Sequence, residues 1–162
     1  MFDRKIYIER RKALHERLSS GLVLLPGNDE SAANYPDNTY RFRQDSTFLY
    51  FFGLNRPKTV GLLDLDSGED ILYGDDTSLE DIIWTGPQPT LTEWAYQVGV
   101  EHTQPISHLY KRIEAAVAKG RRIHYLPPYR AETILHVGRL LGLMPDRVAA
   151  HASIELARTV VA

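Results

Sequence analysis

The sequence predicts an α/β domain in which a mixed β-sheet is flanked by helices. Two apolar stretches, Thr59–Leu65 and Asp70–Tyr73, are separated by the turn sequence DSG at residues 66–68, which is typical of an antiparallel hairpin. A helical pattern then separates this hairpin from a strand-like stretch at Arg122–Leu126, as in a crossover connection. Hairpin strands and a crossover helix in one chain indicate a mixed sheet with helices packed against it.

The first third of the chain predicts a helix, a buried strand, a long loop and an aromatic strand. Asp3 is a suitable N-cap for a helix that runs to about Leu18. The continuous apolar run Leu22–Leu25 is typical of a strand that is buried on both faces. Residues 26–39 are rich in Pro, Gly, Asn and Asp, which predicts a long loop of the kind that often carries function. The aromatic run Phe48–Phe52 predicts the next strand.

Helices and short strands alternate in the rest of the chain. The clearest helix is Pro105–Lys119, whose apolar residues recur every three or four positions and form one face. Residues 74–90 predict a polar loop that contains Trp84. The remaining predicted elements are a helix capped by Thr92 that runs through Val98, a strand at Val100–Thr103, a helix at Tyr129–Leu143 and a helical or extended segment at Ile154–Ala162.

The composition is that of an average soluble protein with one domain. The chain has 162 residues, 43% of them apolar and 25% charged, so it can bury a core and is neither disordered nor fibrous. The absence of cysteine excludes disulfides and thiolate metal sites. Lys and Arg total 19 against 21 Asp and Glu, which is not the basic balance of a nucleic-acid-binding protein. No apolar run reaches the ~18 residues of a membrane span. Because the charged N-terminus is also not a signal peptide, we expect a cytoplasmic protein.

The residues alone leave several functional interpretations open. Asp64 and Asp66 lie two apart at a strand end and, together with Asp45, could hold Mg²⁺ in a small two-metal nuclease; alternatively they are turn residues. Arg43 and Asp45 could form an ion pair that fixes the end of the long loop to the sheet. Trp84 lies either at the edge of the core or exposed as a binding anchor, and in the second case the chain could be a stand-alone binding module.

Residues 40–53 read YRFRQDSTFLYFFG and resemble a known signature. In the N-terminal domain of Xaa-Pro aminopeptidases (aminopeptidase P, in the creatinase/prolidase N-terminal domain family), the pattern is Arg-Gln-Asn/Asp-Ser-x-Phe-x-Tyr-x-x-Gly, followed by a proline before the next strand. Pro57 fits that proline. The segment Asp81–Gly86 (DIIWTG) is similar to a later loop of the family that contains a tryptophan. The resemblance covers about residues 4–143.

This resemblance implies a fold and a location for the chemistry. The fold it implies is three-layered, with a mixed sheet between helices and a ribonuclease H-like motif. Residues 1–150 would form this domain, and residues 151–162 would begin a linker. In the family, a second, C-terminal domain supplies Asp, Asp, His, Glu and Glu ligands to two Mn²⁺ ions and hydrolyses the bond between the first residue and a following proline. The resemblance therefore implies that this chain is a non-catalytic domain without metal ligands, which shapes substrate access and supports oligomerisation.

The resemblance also implies partners and candidate site residues. The expected partners are the C-terminal catalytic domain of the same protein, further copies in a homo-oligomer, and peptide substrates with proline in second position. No nucleic acid or membrane partner is expected. Trp84 matches a loop that, in relatives, lies near the active-site mouth, often that of a neighbouring subunit. Arg43, Asp45 and Tyr50 match the signature and are expected to fix the geometry of the loop and of the aromatic strand.

Overall fold

The chain folds into helices arranged around a central sheet. The structure, a computed structural model, describes residues 2–30, 32–35, 38–39 and 41–161, and for 32–35, 38–39 and 161 it describes the backbone only. The helices are α1 (Arg4–Arg17), α2 (Ser46–Phe52), α3 (Leu79–Thr85), α4 (Leu91–Gln97), α5 (Ile106–Ala118), α6 (Ala131–Leu141) and α7 (Ile154–Val161). The strands are β1 (Leu22–Pro26), β2 (Ala32–Tyr35), β3 (Asn38–Thr39), β4 (Val60–Asp64), β5 (Glu69–Tyr73), β6 (His102–Gln104) and β7 (Ile123–His124).

The central sheet is mixed, as predicted, and its strand order is β6-β5-β4-β1-β7. Strand β4 pairs antiparallel with both β1 and β5, which confirms the predicted hairpin. The pairs β1–β7 and β5–β6 are parallel. Because β4 runs opposite to its four companions, the carboxyl ends of β1, β5, β6 and β7 meet at one edge of the sheet. We call this edge the carboxyl edge.

Helices cover both faces of the sheet and complete the predicted three-layer fold. In the buried strand β1, alternate side chains point to opposite faces. Leu22 and Leu24 belong to the core under α5 and α6, whereas Val23 and Leu25 belong to the core under α1, α2, α4 and α7. No helix within the described part of the chain is both long enough and apolar enough to cross a membrane.

The aromatic run at residues 48–52 forms helix α2, so the predicted strand is wrong. The Asp45 carboxylate caps the helix by accepting the Phe48 backbone N–H at 2.9 Å. Gly53 ends it in the left-handed conformation, with φ of 65°. Phe48, Phe51 and Phe52 are all buried, and their spacing of three and one places them on one helical face. The β propensity of aromatic residues is therefore overridden by the two caps and by the spacing of the buried rings.

Both predicted loops contain secondary structure. The segment 26–39 includes the short antiparallel pair β2–β3, and the segment 74–90 includes helix α3, which is capped by the Ser78 hydroxyl. Helix α4 is capped by Thr90 and not by Thr92. The other helices and strands lie within a few residues of their predicted positions. Of the predicted features, Tyr40 of the signature and Ala162 lie outside the described residues.

Candidate functional site

The Arg-Gln-Asp signature lies at the carboxyl edge, and Gln44 is at its centre. The Gln44 side chain is 5% exposed and makes four hydrogen bonds. Its oxygen accepts the backbone N–H groups of Asn28 at 2.7 Å and of Asp45 at 3.0 Å. Its nitrogen donates to the carbonyls of Leu54 and Arg56, both at 3.0 Å. One amide therefore joins the segment after β1, the start of α2 and the segment before β4.

Asp45 and Arg43 occupy different environments within the signature. One Asp45 oxygen caps α2, and the other accepts the Tyr129 hydroxyl at 3.3 Å, which links the signature to the segment after β7. The Arg43 side chain is exposed, and its backbone carbonyl accepts the Asn28 side-chain amide at 3.0 Å. Although both residues are described, no ion pair joins Arg43 to Asp45, so that prediction is wrong. The Asp45 carboxylate instead accepts hydrogen bonds from the start of α2 and from Tyr129.

A small cavity lies beside this part of the signature. Its volume is about 160 Å³, and Asn28, Asp45, Tyr129 and Thr133 are among the residues that line it. In open α/β sheets, ligands bind in crevices outside the carboxyl ends of the strands. The signature therefore helps to build the edge of the sheet at which function is expected.

Tyr50 lies on the exposed side of α2. The guanidinium carbon of Arg10 lies 4.0 Å from the centroid of the Tyr50 ring, and Arg10 donates to the Tyr50 carbonyl at 2.9 Å. Such a cation–π contact at an exposed site contributes about 0.5–1 kcal/mol. Tyr50 therefore helps to hold α2 against α1, so the element whose geometry it fixes is a helix and not the predicted strand.

Trp84 lies on α3, where it is exposed. Leu79, Ile83 and Trp84 are 81%, 80% and 83% exposed, and no residue of α3 is buried. Leu79 and Ile83 are four positions apart and share one side of the helix. We call the surface formed by these three side chains the α3 face. Among the described residues, no hydrogen bond, ion pair or ring contact joins Trp84 to Arg43, Asp45 or Tyr50. The structure thus places Trp84 on the surface and not at the edge of the core.

The carboxylates of Asp64 and Asp66 are bound by arginines. Asp64 accepts from Arg112 at 2.7 Å and from Arg121 at 2.8 Å, and Asp66 accepts from Arg121 at 2.7 Å. Burial raises the pKa of Asp64, but hydrogen bonds from Arg112, the Ser67 backbone and Arg121 outweigh it and hold the pKa below its ordinary value.

These contacts contradict the proposed two-metal nuclease. The two carboxylates flank a turn, as the alternative interpretation predicted, and arginine groups take the place that a cation would need. Asp45 is engaged elsewhere, as the cap of α2. In the part of the chain that the structure describes, no group of three or more His, Asp or Glu side chains could hold a metal ion. Mg²⁺ bound by Asp64, Asp66 and Asp45 therefore does not fit this arrangement.

Arg11 is a structural residue that the sequence analysis missed. Its side chain is fully buried and donates to the Asp70 carboxylate at 2.9 Å and to the carbonyls of Phe51 and Val98 at 2.9 and 2.7 Å. Burial lowers its pKa, and the neighbouring Asp70 opposes that effect. His15 contacts the second Asp70 oxygen at 2.6 Å. This cluster joins α1 to β5 and to the ends of α2 and α4.

The three-layer fold and the signature at its carboxyl edge define a creatinase/prolidase-type N-terminal domain. Comparison with known families supports this class. Residues 7–124 match the family described as "Aminopeptidase P, N-terminal domain". The chain belongs to that family.

Curated relatives carry the names of proline-specific peptidases. The chain is 29% identical over 110 residues to a probable Xaa-Pro aminopeptidase of Aspergillus niger. The aligned region covers 68% of this chain and 22% of the relative. It is 26% identical over 114 residues to the Xaa-Pro aminopeptidase of Escherichia coli K12 (68% and 26% covered) and 24% identical over 111 residues to human Xaa-Pro dipeptidase (64% and 22% covered). The chain thus spans about a quarter of the length of these relatives.

A solved structure supports the same fold. The low-pH form of aminopeptidase P from E. coli superposes with a TM-score of 0.72 and 24% sequence identity. The superposition covers 88% of this chain and 33% of that one.

Proposed function

We propose that this chain is the non-catalytic N-terminal domain of a metal-dependent Xaa-Pro aminopeptidase. The parent enzyme would hydrolyse the bond between an N-terminal residue and a following proline. The observation that carries this proposal is the family match over residues 7–124, together with relatives that are named Xaa-Pro aminopeptidases. Residues 1–150 would be the domain, and residues 151–162 would lead into the linker.

In this proposal the chemistry belongs to a C-terminal catalytic domain outside the 162 residues. Two Mn²⁺ ions bound there would activate the water that cleaves the peptide bond. The engagement of Asp64 and Asp66 by arginines is consistent with this division, because guanidinium groups already neutralise both carboxylates. The proposed partners are this catalytic domain, peptides with proline in second position and further copies of the chain in a cytoplasmic homo-oligomer.

The α3 face supports a role in oligomerisation and substrate access. Trp is enriched among residues that dominate binding energy at interfaces, and such residues lie in fully desolvated patches. Trp84 is 83% exposed, and α3 carries two further exposed apolar side chains, Leu79 and Ile83. We propose that a second copy covers this face and that α3 thereby forms part of the wall around the substrate entrance.

Charge complementarity favours a second copy as that partner. Every charged residue between Gly74 and Glu101 is acidic. The signature segment of the same chain exposes Arg41 and Arg43, and neither makes an ion pair among the described side chains. In a two-fold dimer, each copy would offer to the other both its basic segment and the acidic segment that contains α3.

The assignment of chemistry can be tested with the chain itself. Assayed with Mn²⁺ and a short peptide that has proline in second position, the 162-residue chain should show no proline-specific hydrolysis. Robust proline-specific turnover would contradict the proposal.

A second test is the gene sequence. The reading frame beyond residue 162 should encode Asp, Asp, His, Glu and Glu in that order, and a frame that lacks them would equally contradict the proposal.

The role of α3 can be tested by sedimentation equilibrium. The double variant Leu79→Ser/Trp84→Ser should associate at least tenfold more weakly than the natural chain. Its melting temperature, measured at a concentration at which both chains are monomeric, should stay the same because neither side chain is buried. Met144 is another exposed apolar residue, at 69% exposure, and Met144→Ser is the matched control. A natural chain that stays monomeric at every concentration, or a double variant that associates normally, would refute the proposed α3 interface.

A further inference from the structure

A second cleft opens at the carboxyl edge, between α5 and α6. Its volume is about 360 Å³. Gly27 after β1 and Thr59 before β4 lie at its base, while Tyr110 of α5 and His136 of α6 lie on its two sides. The cleft contains none of the residues of the α3 face and shares only Thr133 with the cavity beside Asp45. It is therefore a separate site at the edge of the sheet where α/β domains bind ligands.

Two of the three basic side chains of this cleft are uncommitted. Arg56 donates to the Thr59 hydroxyl at 2.9 Å and to the Asp75 carbonyl, so it is part of the scaffold. Lys58 and Arg139 also line the cleft. Within the described part of the chain, neither of their side chains has a hydrogen-bond or ion-pair partner. Two cationic groups are thus available to an anionic ligand.

The acidic side chains of the cleft are mostly engaged. Asp75 accepts the backbone N–H of Ile106 at 3.2 Å, at the start of α5. Glu132 pairs with Arg130 at 2.7 Å. One oxygen of Asp29 accepts the backbone N–H of the next residue at 2.7 Å, and the other has no partner among the described residues. Asp29 is therefore the carboxylate of the cleft whose only hydrogen bond among the described residues goes to its neighbouring residue. Together with Lys58 and Arg139 it offers one negative and two positive groups, which is the complement of a zwitterion.

The backbone of Lys58 is strained at this position. Its φ is 56°, in the left-handed region that non-glycine residues seldom adopt. Its N–H donates to the Asn28 carbonyl at 3.1 Å, which helps to hold this conformation. A residue held in a sparsely populated region costs of order 1–3 kcal/mol, and such residues cluster at ligand sites. The strain at Lys58 thus coincides with one of the two available cations.

The remaining wall of the cleft is apolar and aromatic. The Tyr110 and His136 rings lie 5.9 Å apart, tilted by 48°, and Ile106 lies one helical turn before Tyr110. Burial lowers the pKa of His136, the positive charge of Arg139 lowers it further, and Asp29 opposes both effects. At neutral pH the imidazole is therefore uncharged and can contact an apolar group.

We propose that this cleft binds a small zwitterion of amino-acid or dipeptide size. The ligand carboxylate would lie between Lys58 and Arg139, its ammonium group would face Asp29, and its side chain would cover Ile106 and Tyr110. The volume of about 360 Å³ is at the lower end of the ~300–1,000 Å³ range of ligand pockets, which suits a ligand of this size. The inference does not depend on the proposed peptidase parent, although such a parent would release ligands of this class.

The test is an NMR titration of the 162-residue chain with L-leucine and with the dipeptide Gly-Leu. At least one of them should shift the His136 and Tyr110 signals saturably. The methyl ester of leucine, which lacks the carboxylate charge, and 4-methylpentanoate, which lacks the ammonium group, should each bind at least tenfold more weakly. If neither zwitterion gives a saturable shift, or if either analogue or inorganic phosphate binds as tightly as the zwitterion, the proposal is refuted.

A variant that removes the two positive charges provides an independent test of zwitterion binding. Lys58→Asn/Arg139→Gln removes both cations, and Asn tolerates the left-handed backbone at position 58. Zwitterion affinity should fall at least tenfold. The matched control, Lys119→Asn/Arg147→Gln, alters two exposed basic residues outside the cleft and should bind normally. Unchanged affinity in the first variant, or an equal loss in both, would overturn the assignment. If the first variant does not fold, the analogue titration still decides the question.

Discussion

Replacing Gln44 with leucine tests whether the signature holds the carboxyl edge together. Leucine has a similar volume but no polar atoms. The change would leave the backbone N–H groups of Asn28 and Asp45 and the carbonyls of Leu54 and Arg56 without the partner they have now. Segments from three parts of the chain would therefore lose their shared hydrogen bonds at once.

The environment of each bond sets the expected magnitude. The bonds to Asn28 and Leu54 are buried, whereas those to Asp45 and Arg56 are partly buried, so water can replace the second pair more easily. A buried group left unpaired costs about 1–3 kcal/mol. Two such groups give a loss of about 2–6 kcal/mol in the free energy of unfolding. At roughly 2–4 °C per kcal/mol for a domain of this size, we expect the melting temperature to fall by about 10 °C.

Urea and thermal denaturation followed by circular dichroism measure this loss. Gln88 is exposed in a loop, so Gln88→Leu is the matched control and should stay within ~0.5 kcal/mol of the natural chain. Gln44→Glu tests the direction in which stability changes with pH. Its carboxylate would face the two carbonyls, which raises its folded-state pKa. The loss in the free energy of unfolding should therefore be large at pH 7 and should shrink as the pH approaches ~4. A Gln44→Leu chain as stable as the control would refute the role assigned to this amide.

Three further substitutions test the other contacts. Asp64 has a lowered folded-state pKa, so it contributes stability above pH ~4 that is lost in acid. Asp64→Asn should therefore reduce the change in unfolding free energy, measured with urea, between about pH 5 and 2. A pH dependence as steep as that of the natural chain would contradict this. Arg11→Met leaves one Asp70 oxygen and two carbonyls without their partner. It should cost about 3–5 kcal/mol in urea denaturation, whereas a loss under ~1 kcal/mol would show that the cluster is dispensable. In Gly53→Ala the new Cβ would lie 2.2 Å from the Tyr7 ring, while Gly120→Ala meets nothing within 4 Å at a similar φ. The first should therefore melt well below the second, and equal melting temperatures would exclude the clash.

The sheet could be predicted because its signals are local. The run Leu22–Leu25 is apolar at every position, and all four residues are buried in β1. The hairpin β4–β5 is marked by turn residues between two apolar stretches, and its register pairs Asp64 with Glu69 across the turn. Each signal lies within a few residues of the structure it specifies, so one sequence is sufficient to recognise it.

Helix α2 shows how a local signal can be misinterpreted. Its aromatic content favours a strand, but the same residues carry an N-cap at Asp45, a C-terminal glycine at 53 and buried rings at helical spacing. Capping and spacing are the better guides here, because they describe the backbone geometry and the buried face directly.

The contact between Arg11 and Asp70 could not be predicted, because it spans 59 positions in the sequence. The only local sign of it is an arginine on the same side of α1 as the buried Tyr7 and Leu14.

Helix α3 was predicted as a loop because it lacks the feature by which surface helices are recognised, an apolar stripe that faces the core. Its terminus is instead organised by the Ser78 cap and by acidic residues in the first turn. A helix of seven residues is marginal by itself, and this one leaves its largest side chain, Trp84, exposed to water. The core of this domain gains nothing from that tryptophan. The proposed α3 interface therefore predicts that a substitution of Trp84 alters association without altering the unfolding of the monomer, whereas the main effect of a substitution of Gln44 is on unfolding.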